Sequence, residues 1–409
     1  MGLTMKERKA VTAVLVQRYL RATKKQKGRL LDEFVALTGY HRWYAVGRLR
    51  GHAGGRGRGA GEAAKRRARQ RPRRYDAAVL VALRRVWVIM DCICGKRLAA
   101  VLPETIAVLE RHGEIELDAS TRQKLQAISA ASIDRLLAAD RKRLNVRGRS
   151  GTKPGTLLKH QIPLRTFAEW DQSQPGFVEI DLVGHDGGMA HGDYCQTLDA
   201  TDVASGWTET QAVLNKAQVW VFEALRAIRA RLPFPLQGID SDNGSEFINH
   251  ELLRYTQQER LTFTRGRAYK KNDGCYVEQK NYSVVRRAVG YARYEGPAHL
   301  RLLNELYAQL RLYTNFFLPV MKLVAKQRHG AKVKKTYDRP ATPYQRLLAS
   351  PALGQQAKRQ LRAQYAALNP AALKRNISKL QARLFRIAIR TPAVNPSANV
   401  LPAASRHPH

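Results

Sequence analysis

The spacing of apolar residues changes twice along the chain, and these changes predict its architecture. Up to about residue 145, apolar residues recur every three or four positions, as in the run over 6–22, which is typical of amphipathic helices. From Gly176 onward, short apolar runs bounded by turn residues predict strands, the first over Phe177 to Gly184. After Gly296 the helical spacing returns. The pattern therefore predicts a multidomain protein with an α/β centre between helical ends.

The first fifty residues predict an α-helical, helix-turn-helix N-terminal region. The predicted helices span 6–22, 27–37 and 40–50. A short turn at Gly39 precedes the third helix, which carries Arg42 and Arg48, and this arrangement is typical of DNA-binding helix-turn-helix modules. The alternative is a small helical bundle with a solvated basic face. On the first interpretation, Arg42 and Arg48 contact DNA.

Residues 75–145 predict a second helical block. Pro103 is expected to open one helix, and Ser120 or Thr121 to cap the next. A third helix, over 129–144, has a basic end. The block is consistent with a second helix-turn-helix DNA-binding domain.

The centre of the chain, 166–295, predicts a mixed five-stranded sheet with helices. Five strands and three helices follow in the order β-β-β-α-β-α-β-α. The predicted strands are 177–184, 194–201, 207–213, 236–241 and 261–265, and the predicted helices are 216–231, 245–257 and 276–293. This order is that of a ribonuclease-H-like fold. Beyond it, 296–390 predicts a basic, mainly helical C-terminal region with short strands between 316 and 337, and 391–409 a disordered Pro/Ala-rich tail.

Charge identifies the class of partner. The 409 residues include 71 Lys and Arg against 33 Asp and Glu, a net charge of +38, which calls for a polyanion such as DNA or RNA. An anionic membrane surface is the weaker alternative. No apolar run is long enough for a transmembrane helix, and the N-terminus lacks a signal-peptide core, so a soluble, cytoplasmic protein without a membrane partner is expected.

The charge is unevenly distributed. Residues 166–295 contain 18 acidic and 14 basic residues, whereas the rest of the chain contains 57 basic and 15 acidic residues. Two stretches with few apolar residues, 51–74 and 146–165, are predicted to be basic linkers. The expected DNA contacts in the first linker are Lys65, Arg66 and Arg67. A slightly acidic centre between basic flanks suits an enzyme core that holds cations beside a phosphate backbone.

The four cysteines are predicted to be reduced and structural. They are too few for a disulfide framework, and no second pair or His-x-His completes a zinc site near the C-x-C. These residues are Cys92, Cys94, Cys195 and Cys275.

Three acidic residues are the candidates for chemistry. Asp181 lies within the apolar first strand, where an unpaired carboxylate is costly to bury without a partner or a cation. Asp242 follows the fourth strand, and Glu278 lies near the start of the helix after the fifth. Strand C-termini and helix N-termini are where ligands collect in open α/β sheets. Asp240 lies on the same side of its strand as Asp242 and is a rival for its role.

These acids and their spacing resemble the D,D-35-E pattern of DDE-type integrase-core transposases, that is, bacterial insertion-sequence transposases with a retroviral-integrase-like catalytic domain. Asp181, Asp242 and Glu278 match the three acids, and 35 residues separate the last two. The segments 241–247 (SDNGSEF) and 277–281 (VEQKN) also resemble this family. The resemblance covers about 130 residues well, and the flanks only loosely.

The resemblance implies a metal-dependent mechanism. The catalytic and the metal-binding residues would be the same three, Asp181, Asp242 and Glu278. Two Mg²⁺ ions are implied, with Asp181 as the ligand that they share, and Mn²⁺ could substitute for Mg²⁺. No covalent nucleophile is expected. The implied partners are double-stranded DNA, at element ends and target, and further copies of the chain assembled on DNA. The need for an accessory ATPase stays open.

The sequence departs from related enzymes at two points. It lacks the His-His-Cys-Cys zinc domain of retroviral integrases, and Val285 stands where a Lys or Arg often lies seven residues after the Glu. Arg286 is therefore the candidate for that phosphate contact. The remaining expected DNA contacts in and beside the core are Lys270, Lys271, Lys280 and Arg287.

The sequence therefore predicts a transposase that cleaves DNA at element ends and joins them to target DNA. Two alternatives stay open: a non-catalytic domesticated regulator that only binds DNA, and a ribonuclease-H-type nuclease. The first needs no acidic triad, and the second no helix-turn-helix arms.

Overall fold

The chain is described by a computed structural model over most of its length. The described residues are 3–50, 74–143, 173–189, 191–242, 244, 246–247, 249–265, 275–329 and 332–389. The linker predicted over 146–165 and the predicted tail lie outside them, as does all but the last residue of the 51–74 linker. So do five expected DNA contacts: Lys65, Arg66, Arg67, Lys270 and Lys271. The chain forms two compact units, Met1–Arg73 and Arg74–His409.

The first unit contains three helices, as the sequence predicts. They are α1 (Met5–Arg21), α2 (Lys24–Thr38) and α3 (Arg42–Leu49). Thr4 and Thr23 cap α1 and α2 through capping boxes with Glu7 and Gln26, and α2 ends at Gly39 in the left-handed conformation. The helices enclose a small apolar core formed by Leu15, Tyr19, Leu31, Phe34, Ala45 and Leu49.

The second unit is built around the predicted mixed five-stranded sheet. Its strands are β1 (Phe177–Gly184), β2 (Gln196–Asp202), β3 (Thr208–Val213), β4 (Gly238–Ser241) and β5 (Thr262–Arg265). Their order in the sheet is β3-β2-β1-β4-β5. β1, β2 and β3 pair antiparallel, whereas β4 pairs parallel to both β1 and β5. The sheet is therefore mixed and five-stranded, as expected.

The two faces of the sheet differ in chemistry because side chains alternate along each strand. One face presents Val178, Ile180, Leu198, Ile239 and Phe263, which pack against α9 (Gln218–Arg231) and α10 (His250–Gln258). The opposite face carries acidic residues from three neighbouring strands. We call this the acidic face, defined by Glu179, Asp181, Asp199 and Asp240.

One helical run passes over the acidic face, and it is less regular than predicted. It consists of α11 (Cys275–Lys280), a π-helical segment (Asn281–Arg286) and α12 (Arg287–Val289). The predicted end at residue 293 is wrong: Gly290, at φ 69°, ends the run. The predicted helix over 245–257 likewise begins later, at His250.

The helical block before the sheet contains five helices: α4 (Ala77–Ile89), α5 (Gly95–Arg111), α6 (Ala119–Gln126), α7 (Ala130–Leu136) and α8 (Ala138–Arg143). Three local predictions fail here. Pro103 lies inside α5 rather than opening a helix, and Asp118 caps α6 in place of Ser120 or Thr121. The single helix predicted over 129–144 is divided at Leu137.

The C-terminal region is mainly helical, as predicted. It contains α13 (Gly296–Phe317), a hairpin of β6 (Leu323–His329) and β7 (Lys332–Tyr337), and then α14 (Pro343–Ala349), α15 (Gln355–Ala367) and α16 (Pro370–Ile387). It shares one apolar cluster with the preceding block, to which Trp87, Leu102, Tyr313, Phe316 and Leu361 belong. The 75–145 block, predicted as a separate domain, therefore packs within the same compact unit as the sheet. None of the helices described here is long and apolar enough to cross a membrane.

Candidate active site

The predicted acids Asp181 and Asp242 lie side by side on neighbouring strands. In the parallel pairing of β1 and β4, Ile180 is opposite Ser241, and each acid directly follows its member of that pair. On the other side of β1, Asp181 pairs with Asp199 of β2. The sheet register thus places three carboxylates in one row across three strands.

Asp181 is held in place by two hydrogen bonds. Its Oδ1 accepts from the backbone N–H of Leu182 at 2.8 Å, and its Oδ2 accepts from the side-chain amide of Asn281 at 2.5 Å. Burial raises the pKa of Asp181 to about 7, and the negative charges of Asp242 and Glu278 add to the rise. The charges of the three predicted acids therefore act on one another.

Asp242 and Glu278 lie at the edge of this row. Asp242 accepts a hydrogen bond of 2.8 Å from the backbone N–H of Gly244. Its pKa is raised because neighbouring protein atoms exclude water from part of the carboxylate, and because Glu246 contributes a second negative charge. Glu278 lies in the first turn of α11 and is exposed. Both positions leave the site open to a substrate from solvent.

Glu179 has a role that the sequence did not reveal. It lies two residues before Asp181 in β1, and its side chain is 1% exposed. Its Oε2 accepts hydrogen bonds from the backbone N–H groups of Tyr276 at 2.8 Å and Val277 at 3.1 Å. Because the first N–H groups of a helix have no partner within the helix, this carboxylate completes the start of α11. Glu179 therefore fixes the helix that carries Glu278.

Asp240, the predicted rival of Asp242, lies one row behind the site. It pairs with Glu179 across β1 and β4 and is 2% exposed. Its Oδ1 accepts a 2.6 Å hydrogen bond from the hydroxyl of Thr264 on β5. These contacts place Asp240 inside the sheet layer, whereas Asp242 faces the open edge.

Lys280 is a correction to the expected DNA contacts. It is 8% exposed and faces the acidic face, where Asp199 is fully buried. Burial lowers the pKa of Lys280 to about 8, an effect that the charge of Asp199 opposes. Burial likewise raises the pKa of Asp199 well above its usual range. An ammonium group enclosed in this way cannot reach a phosphate on the surface.

Arg286 and Arg287 are also engaged within the protein. Arg286 donates to the carbonyl of Gly184 at 2.9 Å, which ties the π-helical segment to the end of β1. Arg287 forms an ion pair of 2.7 Å with Asp91. Arg286 is therefore held within the protein, whereas Arg287 is exposed and stays a predicted DNA contact. Val285, at the position often basic in related enzymes, is fully buried.

The expected DNA contacts in the first unit lie on α3. Arg42 is exposed and pairs with Asp32, and Arg48 is partly buried, with its Nε unpaired among the described residues. Trp43 was not predicted as a contact, and its side chain is 82% exposed at the start of α3. An aromatic residue beside two arginines was a signal that could have identified it.

The described cysteines agree with the prediction of reduced thiols. Cys92, Cys94 and Cys195 are free, and burial raises the pKa of the Cys92 and Cys195 thiols. Raised pKa values keep these groups in the unreactive thiol form.

The described side chains of the candidate site offer the oxygen ligands that a hard divalent cation prefers, although they do not surround a cation-sized space. Within the described ranges, no three His, Cys, Asp or Glu side chains are gathered closely enough to hold a metal ion. The donors at hand are carboxylate oxygens whose charges repel one another, and the buried Oδ1 of Asn281, which has no hydrogen-bond partner among the residues that the structure describes. Oxygen ligands of this kind are the ones that Mg²⁺ selects. A cation between Asp181, Asp242 and Glu278 would relieve their repulsion.

Comparison with known proteins gives one extensive match in sequence. No protein-family model matches the chain. The "Uncharacterized protein y4rM" of Sinorhizobium fredii (strain NBRC 101917 / NGR234) is 40% identical over 346 residues, which is 84% of this chain and 96% of that protein. A match of this identity and extent defines a family.

Two retroviral integrase cores are similar in structure over part of the chain. The HTLV-2 integrase catalytic core domain, solved "in complex with magnesium (trimeric form)", is 15% identical, with 28% of this chain and 68% of that chain covered and a TM-score of 0.23. The BIV integrase catalytic core is 18% identical, with 41% and 91% covered and a TM-score of 0.24.

Proposed function

We propose that this chain, which belongs to the family of the Sinorhizobium fredii protein y4rM, is a transposase. It would cleave DNA at element ends and join those ends to target DNA. The observation that carries the proposal is the coupling of Asp181, Asp242 and Glu278 at the open edge of the sheet. Like charges this close are costly unless a cation or a proton neutralises them. Such an arrangement suits phosphoryl transfer with divalent metals.

The proposed chemistry assigns a task to each group in the site. Attack on a phosphodiester by water or a 3′-hydroxyl needs a deprotonated oxygen and neutralised charge, which two bound Mg²⁺ ions would supply. Asp181, Asp242 and Glu278 would hold them. The amide of Asn281 orients the Asp181 carboxylate, and Glu179 orients the helix of Glu278.

The DNA partner is proposed from the charge of the flanks and from α3. Outside 166–295 the chain carries 57 basic and 15 acidic residues. Arg42, Trp43 and Arg48 lie along α3, the third helix of the first unit, and we assign this helix to DNA contact. The HTLV-2 integrase core was solved in a trimeric form. For this chain we likewise propose that several copies assemble, on paired DNA ends.

The test uses the full chain and DNA from its own genomic setting. Duplexes carrying the inverted repeats that flank the coding region are incubated with the protein and Mg²⁺, and nicking and joining are followed on gels. We expect both activities in the wild type. Asp181→Asn, Asp242→Asn and Glu278→Gln should reduce both to background and leave DNA binding in EDTA unchanged. Undiminished joining by any of these variants contradicts the assignment of that residue.

The same assay separates the two alternatives. Sequence-specific binding by the wild type without any metal-dependent cleavage would indicate a regulator that has lost its activity. Cleavage of an RNA–DNA hybrid in preference to duplex DNA, without joining, would indicate a ribonuclease-H-type nuclease. Each outcome would replace the proposed transposase function.

A further inference from the structure

The β6–β7 hairpin projects from the second unit with both of its faces in solvent. All of its described side chains, over 323–328 and 333–337, are exposed, among them Val324 at 62%. Residues 322–337 include six Lys and Arg and no Asp or Glu. An isolated two-stranded hairpin is marginally stable in water, and this one buries no apolar face. An exposed, basic hairpin of this kind favours contact with a molecule outside the chain.

The register of the hairpin places positive charges against each other. Lys326 pairs directly with Lys335, and Arg328 is the next residue along on the same face. Lys334 lies on the other face, opposite Gln327. Like charges directly opposite each other destabilise a strand pair. Lys326, Arg328, Lys334 and Lys335 form no ion pair with any other described residue, so no described carboxylate neutralises them.

The base of the hairpin, in contrast, is firmly attached. Asp338 accepts a 2.8 Å hydrogen bond from the backbone N–H of Lys322 and pairs with Arg346 at 2.7 Å. The ammonium group of Lys322 donates to the carbonyl of Ala204, in the β2–β3 turn, at 3.0 Å. The free part of the hairpin is therefore held in a defined direction from the sheet that carries the candidate active site.

We propose that this hairpin is a DNA-binding ribbon that lies against duplex DNA. A two-stranded ribbon fits the major groove of B-DNA, and basic side chains on both faces can reach the phosphates on either side of that groove. Lys326, Arg328, Lys334 and Lys335 make these phosphate contacts. The inference rests on the proposed function only in taking duplex DNA as the polyanion, and it adds a surface that holds this DNA beside the site.

The test removes the four charges and compares the result with a matched loss of charge elsewhere. The hairpin variant is K326Q/R328Q/K334Q/K335Q. The control variant, R359Q/R362Q/K379Q/R386Q, removes four exposed charges from α15 and α16. Both full-length proteins are titrated against a fluorescent 30-base-pair duplex in EDTA at several salt concentrations, and melting curves verify that both variants are folded.

We expect the hairpin variant to bind duplex DNA about 10-fold more weakly than the control variant, or worse, at moderate salt. The slope of log affinity against log salt should fall by about 0.9 for each phosphate that the hairpin variant no longer neutralises. Equal affinities and equal slopes in the two variants overturn the proposal. A loss confined to double-stranded RNA, with duplex DNA binding kept, overturns it as well.

This result is independent of the proposed chemistry. The titration in EDTA needs no cleavage, so a wild type that fails to nick or join DNA leaves the binding comparison valid. Conversely, if the hairpin variant binds DNA as tightly as the control variant, the hairpin is excluded as a DNA-binding surface. The test of Asp181, Asp242 and Glu278 is then still valid.

Discussion

The carboxylate of Glu179 accepts a hydrogen bond of 2.8 Å from the backbone N–H of Tyr276, which joins β1 to the first turn of α11. Asp181 lies two residues after Glu179, and Glu278 two residues after Tyr276. One buried contact therefore sets the spacing between two of the three proposed catalytic acids. It links the strand that carries one to the helix that carries the other.

Glu179→Ala should lower the rate of DNA cleavage more than it lowers DNA affinity. Loss of a helix cap costs about 0.5–2 kcal/mol of stability, and a displacement of about 1 Å in an active site can cost about 100-fold in rate. Single-turnover cleavage rates and urea unfolding of the same protein measure the two effects. Glu179→Gln, which keeps an acceptor oxygen, should recover part of the rate. Full activity in Glu179→Ala would show that the contact does not position Glu278.

A buried ion network should dominate the stability of the second unit. Glu209 is fully buried and accepts hydrogen bonds from Arg311 at 2.7 and 2.8 Å and from the indole of Trp207 at 2.9 Å. Arg231 also pairs with Glu209, at 3.2 Å, so removing Arg311 alone leaves one partner. Leaving a buried charge without its ion-pair partners costs about 3–5 kcal/mol, so Arg231→Ala/Arg311→Ala should lower the free energy of unfolding by that order. Breaking the exposed pair of Arg229 and Glu259 with Glu259→Ala should cost at most about 1 kcal/mol. Similar losses in the two variants, measured by urea unfolding, would contradict this account.

His185 should make the protein less stable in acid. It is fully buried and shares a 2.7 Å hydrogen bond with the hydroxyl of Thr197. Burial lowers its pKa from 6.5 to about 3, and the charge of Arg286 contributes. Between those pH values the unfolded chain binds a proton that the folded protein excludes. The free energy of unfolding should therefore fall as pH falls from about 6.5 to about 3, by at most about 1.4 kcal/mol per pH unit.

The comparison that tests this is a pH series of unfolding curves. His185→Gln should remove this contribution and flatten the slope, whereas His250→Gln, at an exposed position, should leave it unchanged. Equal slopes in the wild type and His185→Gln would show that another group causes any loss of stability in acid.

The sequence predicted those features that follow from local pattern. Strand alternation and the turn after Ser241 were enough to place Asp181 within the first strand and Asp242 after the fourth. Their common site was implied only by the family resemblance. The contact of Glu179 with the start of α11 could not be predicted. An acidic residue that alternates with apolar residues has the same local pattern whether it faces water or a helix N-terminus. That distinction depends on Tyr276, 97 residues away.

One expected DNA contact near the core, Lys280, was wrong for a related reason. A basic residue on a helix favours exposure, but Lys280 is enclosed beside Asp199. Arg287, in contrast, is exposed and pairs with Asp91. The order of Asp91 and Arg287 in the sequence, 196 residues apart, gives no sign of this contact. The arrangement of charges on the β6–β7 hairpin could not be predicted either. Which of its basic residues face each other depends on the strand register, which the sequence alone does not define.

Asp242, and not Asp240, is proposed to bind a catalytic metal. Asp242→Cys replaces an oxygen ligand by sulfur, which Mg²⁺ rejects and the softer Mn²⁺ tolerates. The measurement is the rate of joining a labelled DNA end to plasmid in each metal, for Asp242→Cys and Asp240→Cys. We expect Asp242→Cys to be inactive with Mg²⁺ and to regain joining with Mn²⁺. Full activity of Asp242→Cys with Mg²⁺, or rescue by Mn²⁺ of Asp240→Cys alone, would contradict it.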